Sequence, residues 1–136
     1  MKDDIRVILA DNNVQDRESK KRLLNEQGIQ VVYETGDGKK ALENIKKLKP
    51  DVVVMDMILP GVDGLEILEE CREFTEYKPL FIIATALRRE GLIEQALAQG
   101  ANYYMMKPLS ATMLIKRIRQ IAASVGEGEE GQAAVH

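Results

Sequence analysis

The stretch that decides the fold is Asp51-Val52-Val53-Val54-Met55-Asp56-Met57-Ile58-Leu59-Pro60-Gly61-Val62-Asp63-Gly64. Four apolar residues, three of them β-branched, precede the carboxylate of Asp56, and a Pro-Gly turn follows. A short apolar run bounded by turn residues predicts a strand that is buried on both faces. Asp56 then lies at the carboxyl end of that strand, the edge at which open parallel sheets bind ligands.

Strand and helix patterns alternate along the rest of the chain. Besides the central run, the predicted strands cover residues 5–10, 29–34, 80–84 and 103–106. The predicted helices cover residues 14–27, 39–48, 63–74, 90–99 and 111–124, with N-caps expected at Asn12 or Asn13, Asp37, Asp63 and Ser110. Short connections and right-handed crossovers then predict a doubly wound, flavodoxin-like α/β fold in three layers, with five parallel strands in the order 2-1-3-4-5 and five helices.

The first predicted helix is unusual because the positions expected to face the sheet are polar. Those positions are Asp16, Ser19 and Lys20. The apolar residues left to pack are mainly Val14, Leu23 and Leu24. We therefore expect this helix either to be rotated about its axis or to be held loosely over its first half.

One domain accounts for the length of 136 residues. It is expected over residues 4–124, and the Gly/Glu-rich segment 125–136 is expected to be disordered or to begin a linker. No apolar run approaches the ~20 residues that cross a bilayer, and Met1-Lys2-Asp3-Asp4 opens no signal peptide. Because Cys71 is the single cysteine, no internal disulfide can form. These features predict a cytoplasmic protein without membrane contact.

The charge balance argues against direct nucleic-acid binding. The chain carries 22 acidic and 19 basic residues, but three of the acids, Glu127, Glu129 and Glu130, lie in the tail, so the remainder is balanced. A neutral domain has no overall field that steers it onto a phosphate backbone. The absence of tryptophan and the low aromatic content also argue against a base-stacking surface.

Four polar side chains each end, or directly follow, a predicted strand. They are Asp11, Asp56, Thr85 and Lys107. The carboxyl ends of parallel strands meet at one edge, and the predicted strand order places Asp11 beside Asp56. Two adjacent carboxylates suit a hard cation such as Mg²⁺, while an ammonium and a hydroxyl suit the equatorial oxygens of a phosphoryl group. The predicted chemistry is phosphoryl transfer to Asp56 as nucleophile.

Taken together, these motifs resemble the receiver domains of bacterial two-component response regulators over residues 4–124. The motifs that carry the resemblance are Leu9-Ala10-Asp11, Met55-Asp56 with Leu59-Pro60-x-x-Asp63-Gly64, Ala84-Thr85-Ala86, and Gly100-Ala101 with Lys107-Pro108. The Asp-Met-Ile-Leu-Pro run and the Thr-Ala segment look most like those of sporulation-type regulators.

The resemblance implies a phosphoacceptor signalling domain. Asp56 would receive a phosphoryl group from a phosphohistidine on a histidine kinase or phosphotransfer protein. Lys107 would contact the phosphoryl oxygens, Thr85 would move to hydrogen-bond one of them, and Tyr104 would be the switch aromatic. The face of the fourth helix, fifth strand and fifth helix would change shape, and a homodimer through it is a candidate assembly. The Lys107–Pro108 bond would be cis.

The metal site is where the chain departs from the family pattern. The resemblance implies Mg²⁺ held by Asp11, Asp56, the main-chain carbonyl of Ile58 and, weakly, Asn12. Most receivers have an acid where Asn12 stands, so a full negative charge is missing and Mg²⁺ binding is expected to be weak. Asp16, one helical turn further on, either faces solvent or compensates for the missing charge.

Three other functions are compatible with parts of this pattern. A pseudo-receiver would have the same fold but act by constitutive protein contact, with Asn12 as its main support. A phosphohydrolase similar to haloacid dehalogenases needs a second acid two residues after the nucleophile, where Ile58 stands. A flavin-binding module is compatible with the fold, but the loop after the first strand of this chain lacks the Ser/Thr/Gly residues that would hold a flavin phosphate. We therefore expect no enzyme activity beyond self-phosphotransfer and slow autodephosphorylation. The autodephosphorylation is expected to be slow because the apolar side chains of Ile58 and Leu87 flank the approach of water.

Overall fold

The structure, a computed structural model, describes residues 4–125 and the pair 134–135. The strands are β1 Arg6–Ala10, β2 Gln30–Thr35, β3 Val52–Met55, β4 Leu80–Thr85, β5 Tyr103–Met106 and β6 Ala134–Val135. The helices are α1 Val14–Glu26, α2 Gly38–Leu48, α3 Gly64–Arg72, α4 Glu90–Ala98 and α5 Ala111–Val125. All five predicted strands and all five predicted helices are present, and their ends differ from the predicted ones by no more than two residues.

The strands form one parallel sheet in the order β2-β1-β3-β4-β5-β6. The predicted order 2-1-3-4-5 is therefore confirmed. The two residues of β6 pair with Tyr103 and Tyr104 and extend the sheet beyond β5. The expected disordered tail or linker falls largely on residues 126–133 and 136, which lie outside the described residues, so it stays a prediction.

The sheet separates two apolar cores, because successive strand residues point to opposite faces. On one face Ile8, Val53 and Ile83 pack with buried residues of α2, α3 and α4. On the other face Val7, Val54 and Ile82 pack with α1 and α5. Each of the strands β1 to β5 thus contributes to both cores, which explains why the central run at 52–55 is apolar throughout.

Side-chain caps begin four of the helices at the predicted places. Each cap oxygen accepts the main-chain N–H three residues on: Asn13 from Asp16, Asp37 from Lys40, Asp63 from Glu66 and Ser110 from Met113. Of the two candidates for α1, it is Asn13 that caps the helix, which leaves the Asn12 side chain available to the neighbouring loop. No helix in the described ranges is long and apolar enough to cross a bilayer.

In α1 the inward position predicted for Lys20 is confirmed, whereas the packing expected of Val14 and Leu23 is wrong. Val14 and Leu23 are 52% and 36% exposed, and of the three predicted packing residues only Leu24 is buried. Lys20 is instead buried, and its ammonium contacts the Asp16 carboxylate one turn earlier. The helix therefore places the Asp16–Lys20 pair toward the sheet. The ammonium can be buried there because the carboxylate pairs with it, whereas an unpaired buried charge would be costly.

Candidate functional site

The register of the sheet brings the four predicted polar residues to one edge. Ala10 lies opposite Met55 in the β1–β3 ladder, and the Asp56 N–H donates to Ala10 O over 2.9 Å. The residues that follow these two, Asp11 and Asp56, therefore leave neighbouring strands side by side. On the other side of β3, the Lys107 N–H donates to Thr85 O over 2.8 Å. The main chain therefore carries all four side chains into one cleft.

The Asp56 carboxylate is held on both of its oxygens. Oδ1 accepts hydrogen bonds from the Thr85 hydroxyl at 2.8 Å and from the Ile58 N–H at 3.2 Å. Oδ2 lies 3.0 Å from the Lys107 ammonium. The residue is 7% exposed, so only a small part of it is accessible to solvent.

The Lys107 ammonium joins the two acids of the site. Its Nζ lies 2.8 Å from Asp11 Oδ2 and 3.0 Å from Asp56 Oδ2. Burial would lower the pKa of Lys107, but the hydrogen bonds and charges of Asp11 and Asp56 outweigh it and hold that pKa above its ordinary value. Lys107 therefore stays charged at neutral pH and relieves the repulsion between the carboxylates. The Lys107–Pro108 peptide bond is cis, as the resemblance implies.

The site contains oxygen atoms that are suitable ligands for a hard cation. The Asp11 and Asp56 carboxylates lie within reach of one ammonium, and the Ile58 carbonyl follows Asp56 by two residues. Among the described residues there is no group of three or more His, Cys, Asp or Glu side chains that could hold a metal. The donors present therefore fit Mg²⁺ in kind, but with one negative charge fewer than a three-acid site would supply.

Asn12 faces the carbonyl expected to bind the metal. Its Nδ2 donates to Ile58 O over 3.3 Å. This bond ties the β1–α1 loop to the β3–α3 loop across the cleft. The predicted alternative ligand, Asp16, is engaged elsewhere, because its carboxylate contacts the Lys20 ammonium.

Two glycines allow the loop after Asp56 to take its path. A Cβ on Gly38 would lie 1.6 Å from Val62 O, so α2 begins in direct contact with this loop. A Cβ on Gly64 would lie 2.9 Å from the Met57 Cα. Since side chains at these positions would meet main chain, the close approach requires glycine at both.

A chain of hydrogen bonds runs from Asp56 to Tyr104. The Thr85 hydroxyl, which donates to Asp56, accepts the Leu87 N–H over 3.4 Å, and the Tyr104 hydroxyl donates to Leu87 O over 3.3 Å. Tyr104 is fully buried. Burial, and secondarily the charge of Asp56, raise the pKa of its hydroxyl. The expected switch residues thus lie in one connected path, with Thr85 already directed at Asp56.

Sequence reasoning missed Arg17, which contacts the main chain of the site. Its Nη1 donates to Asp11 O over 2.6 Å and its Nε donates to Glu34 Oε1 over 2.9 Å. Asp11, Asp56, Arg17 and Lys20 also share the wall of a cavity of about 10 Å³. The signal that could have found Arg17 is the polar character of the sheet-facing side of α1.

Comparison with known proteins shows which sequences this chain is similar to. The family model described as the response regulator receiver domain matches residues 7–119. PdtaR, a transcriptional regulatory protein of Mycobacterium tuberculosis, is 34% identical over 90% of this chain and 62% of its own length. TrcR, another transcriptional regulatory protein of that organism, is 38% identical over 85% of this chain and 44% of its own length. The chain thus spans about half the length of these relatives.

A solved structure extends the likeness to three dimensions. The signal receiver domain of the response regulator NarL from M. tuberculosis superimposes with a TM-score of 0.83 at 31% identity. The match covers 90% of this chain and 98% of that domain. The likeness therefore covers nearly all of the region in which the site residues lie.

Proposed function

The chain belongs to the response regulator receiver domain family, and on that premise we propose that Asp56 accepts a phosphoryl group from a phosphohistidine donor. The observation that carries the proposal is the position of Lys107, whose ammonium lies 2.8 Å from Asp11 and 3.0 Å from Asp56. This arrangement provides a carboxylate nucleophile and, beside it, a fixed positive charge for the oxygens of the incoming group.

In the proposed transfer, an oxygen of Asp56 attacks phosphorus as the bond from phosphorus to the donor imidazole nitrogen breaks. The leaving nitrogen takes up the electron pair of the broken bond, and because the other ring nitrogen of the phosphohistidine carries a proton, the products are an acyl phosphate on Asp56 and a neutral imidazole. Lys107 would follow the phosphoryl oxygens, and the Thr85 hydroxyl would donate to one of them in place of Asp56 Oδ1. Asp11, Asp56, the Ile58 carbonyl and, weakly, Asn12 would hold Mg²⁺. The cation would offset the negative charge of the carboxylates and of the phosphoryl group.

The surface around the opening suits a protein donor. Val14 and Ile58 follow Asp11 and Asp56 by three and two residues and are 52% and 53% exposed. Exposed apolar side chains next to a buried nucleophile can pack against the donor and exclude water during transfer. We propose a histidine kinase or phosphotransfer protein as the partner, and a cytoplasmic location for the exchange.

The output would be a population shift on the face formed by α4, β5 and α5. Phosphorylation would favour the inward positions of Thr85 and Tyr104, because the phosphoryl group adds charged oxygens to which the Thr85 hydroxyl can donate. Tyr104 lies in β5 and its hydroxyl contacts Leu87, just before α4, so it links the site to this face. A homodimer through that face is the proposed assembly.

The proposal is tested with the purified protein, a small-molecule phosphodonor such as acetyl phosphate, and Mg²⁺. We expect the intact mass to increase by one phosphoryl group, and Asp56→Asn to abolish the increase. Asp51→Asn is the matched control, since Asp51 is an acid at the opposite end of β3, and this variant should still gain the group. An unchanged mass for the wild-type protein with both the small donor and a phosphohistidine protein would refute the proposal.

A pseudo-receiver is the second candidate, and the Asn12–Ile58 hydrogen bond favours it. That bond holds the loops beside Asp56 without a metal, as a constitutive binding surface would require. The mass experiment separates the two candidates. A pseudo-receiver gains no phosphoryl group, and Asp56→Asn leaves its partner binding unchanged.

A further inference from the structure

Arg17 connects the β1–α1 loop to the edge strand of the sheet. Its guanidinium donates to the main-chain oxygen of Asp11 at 2.6 Å through Nη1 and to the Glu34 carboxylate at 2.9 Å through Nε. The two acceptors belong to different elements, since Asp11 follows β1 and Glu34 lies in β2. A planar guanidinium can hold two acceptors in a fixed relative position, which a flexible ammonium does not do.

The surroundings of Arg17 are built to keep it in place. The Arg17 and Glu34 side chains are only 14% and 21% exposed, and Lys21 adds a second contact to Glu34 at 3.1 Å. Burial would raise the pKa of Glu34, but the hydrogen bonds from Arg17 and Lys21 outweigh it and lower that pKa. The space for the guanidinium depends on Gly36, where a Cβ would lie 3.1 Å from Arg17 Nη1 and 3.3 Å from Asp11 O.

Fixing the Asp11 main chain also fixes the direction of the Asp11 carboxylate. The Asp11 N–H is also fixed, because it donates to Thr35 O at 3.0 Å. With both main-chain groups of Asp11 held toward β2, its side chain points to the cleft, where Oδ2 meets Lys107 at 2.8 Å and Oδ1 accepts the Asn13 N–H at 2.9 Å. No contact of Arg17 with Asp56 is needed for this effect.

We infer that Arg17 is a positioning residue of the phosphoacceptor site, which fixes the Asp11 carboxylate opposite Asp56 by holding the Asp11 carbonyl to Glu34. The inference rests on the proposed function, because the carboxylate so placed is the proposed Mg²⁺ ligand. Supporting groups of this kind orient metal ligands, and their loss typically weakens metal binding by roughly 10–100-fold. Through Arg17, the polar side of α1 would thus serve to position a residue of the site.

The test compares Arg17→Met with Lys21→Met, which removes the other cation on Glu34 but does not touch Asp11. Mg²⁺ affinity is measured by isothermal titration calorimetry and the Asp11 carboxylate by the amide resonance of Asn13. Arg17→Met should weaken Mg²⁺ binding about tenfold or more and shift the Asn13 resonance, and Lys21→Met should do neither. Added methylguanidinium should partly restore the affinity of Arg17→Met.

A second variant approaches the same contact without removing Arg17. Gly36→Ala crowds the guanidinium and Asp11 O, and we expect it to shift the Asn13 resonance in the same direction as Arg17→Met. An unmoved Asn13 resonance in folded Arg17→Met, or equal losses in Arg17→Met and Lys21→Met, would overturn the inference. Failure of the proposed function has a different signature, because wild-type protein would then gain no phosphoryl group while the Asn13 resonance still depended on Arg17.

Discussion

Asn12 and Ile58 are joined by a hydrogen bond that runs from the Asn12 side-chain amide to the Ile58 main-chain oxygen over 3.3 Å. The donor faces the carbonyl that we propose as a metal ligand, so a cation at this oxygen competes with the amide. The resemblance to receivers implies an acid at position 12 in most members of the family. The proposed phosphoryl site thus has all the groups that we predicted for it, whereas the proposed metal site has one acid fewer than a three-acid site.

Asn12→Asp is expected to raise Mg²⁺ affinity about tenfold or more, as measured by calorimetry. A carboxylate adds a negative charge beside the cation and has no N–H to donate to the Ile58 carbonyl. Asn13→Asp is the matched control: it adds the same charge one residue away, and aspartate is an equally good N-cap for α1. Equal gains in the two variants would mean that general electrostatics, and not ligation at position 12, limits the affinity.

Lys107→Met is expected to destabilise the protein by about 2–3 kcal/mol near neutral pH, because two carboxylates lose their shared ammonium. The pKa of Lys107 is raised in the folded state, so its contribution is complete below the pKa of the unfolded chain, about 10.4. It is lost as pH rises through the folded pKa. Urea unfolding of both proteins from pH 7 to 12 measures this difference, which should be constant to about pH 10 and then shrink. A difference that grows above that pH would contradict the assignment.

Gly38→Ala is expected to cost about 3 kcal/mol of unfolding free energy, because the new Cβ would lie 1.6 Å from a main-chain oxygen, that of Val62. Gly91→Ala is the control in α4, where a Cβ meets nothing within 4 Å. That variant should stabilise the protein by about 0.5–1 kcal/mol through helix propensity. Thermal or urea denaturation gives both values, and a destabilised Gly91→Ala would show that the open space beside α4 is not available.

Cys71 is expected to resist alkylation in the folded protein. The residue is 3% exposed, and burial raises the pKa of its thiol to about 12. Since the thiolate is the reactive form, iodoacetamide at pH 8 should modify the native chain at least about 100-fold more slowly than the urea-unfolded chain. Mass spectrometry over time measures both rates. Rapid labelling of the folded protein would mean that α3 opens readily.

The acyl phosphate on Asp56 is expected to hydrolyse slowly, because apolar Ile58 and Leu87 flank the approach of water. Ile58→Asn should shorten its lifetime about tenfold by offering groups that orient a water molecule, whereas Ile58→Val should leave it nearly unchanged. The phosphorylated fraction is followed by intact mass after removal of the donor. A lifetime that is already short in the wild-type protein would reject the role given to these residues.

The identity and order of the elements, and the four polar residues at strand ends, could be read from local pattern. An apolar run such as 52–55 is compatible with burial on both faces, and a parallel sheet then leaves few connections open. These features depend on neighbours in sequence or on general rules of chain topology. They could therefore be predicted to within two residues, and the caps of α2, α3 and α5 at the exact residue, whereas for α1 the choice between Asn12 and Asn13 stayed open.

Tertiary structure decided how the polar side of α1 packs: helical spacing predicted that Lys20 faces the sheet, but not that it would be buried there. The pattern of α1 favoured Val14 and Leu23 as packing residues, but both are exposed, while Lys20 is buried against Asp16. Helical spacing allows the Asp16–Lys20 pair, but whether that pair is buried depends on the space that the packed sheet leaves beside it.

For the same reason, the contacts of Arg17 with Asp11 O and Glu34, and of Asn12 with Ile58 O, could not be foreseen from the sequence. They join residues on separate elements whose spacing is set by the packed sheet. The sequence by itself determined the fold and the chemical groups at its functional edge. The tertiary structure decided how those groups are held, because hydrogen bonds between distant segments form only after the elements have docked.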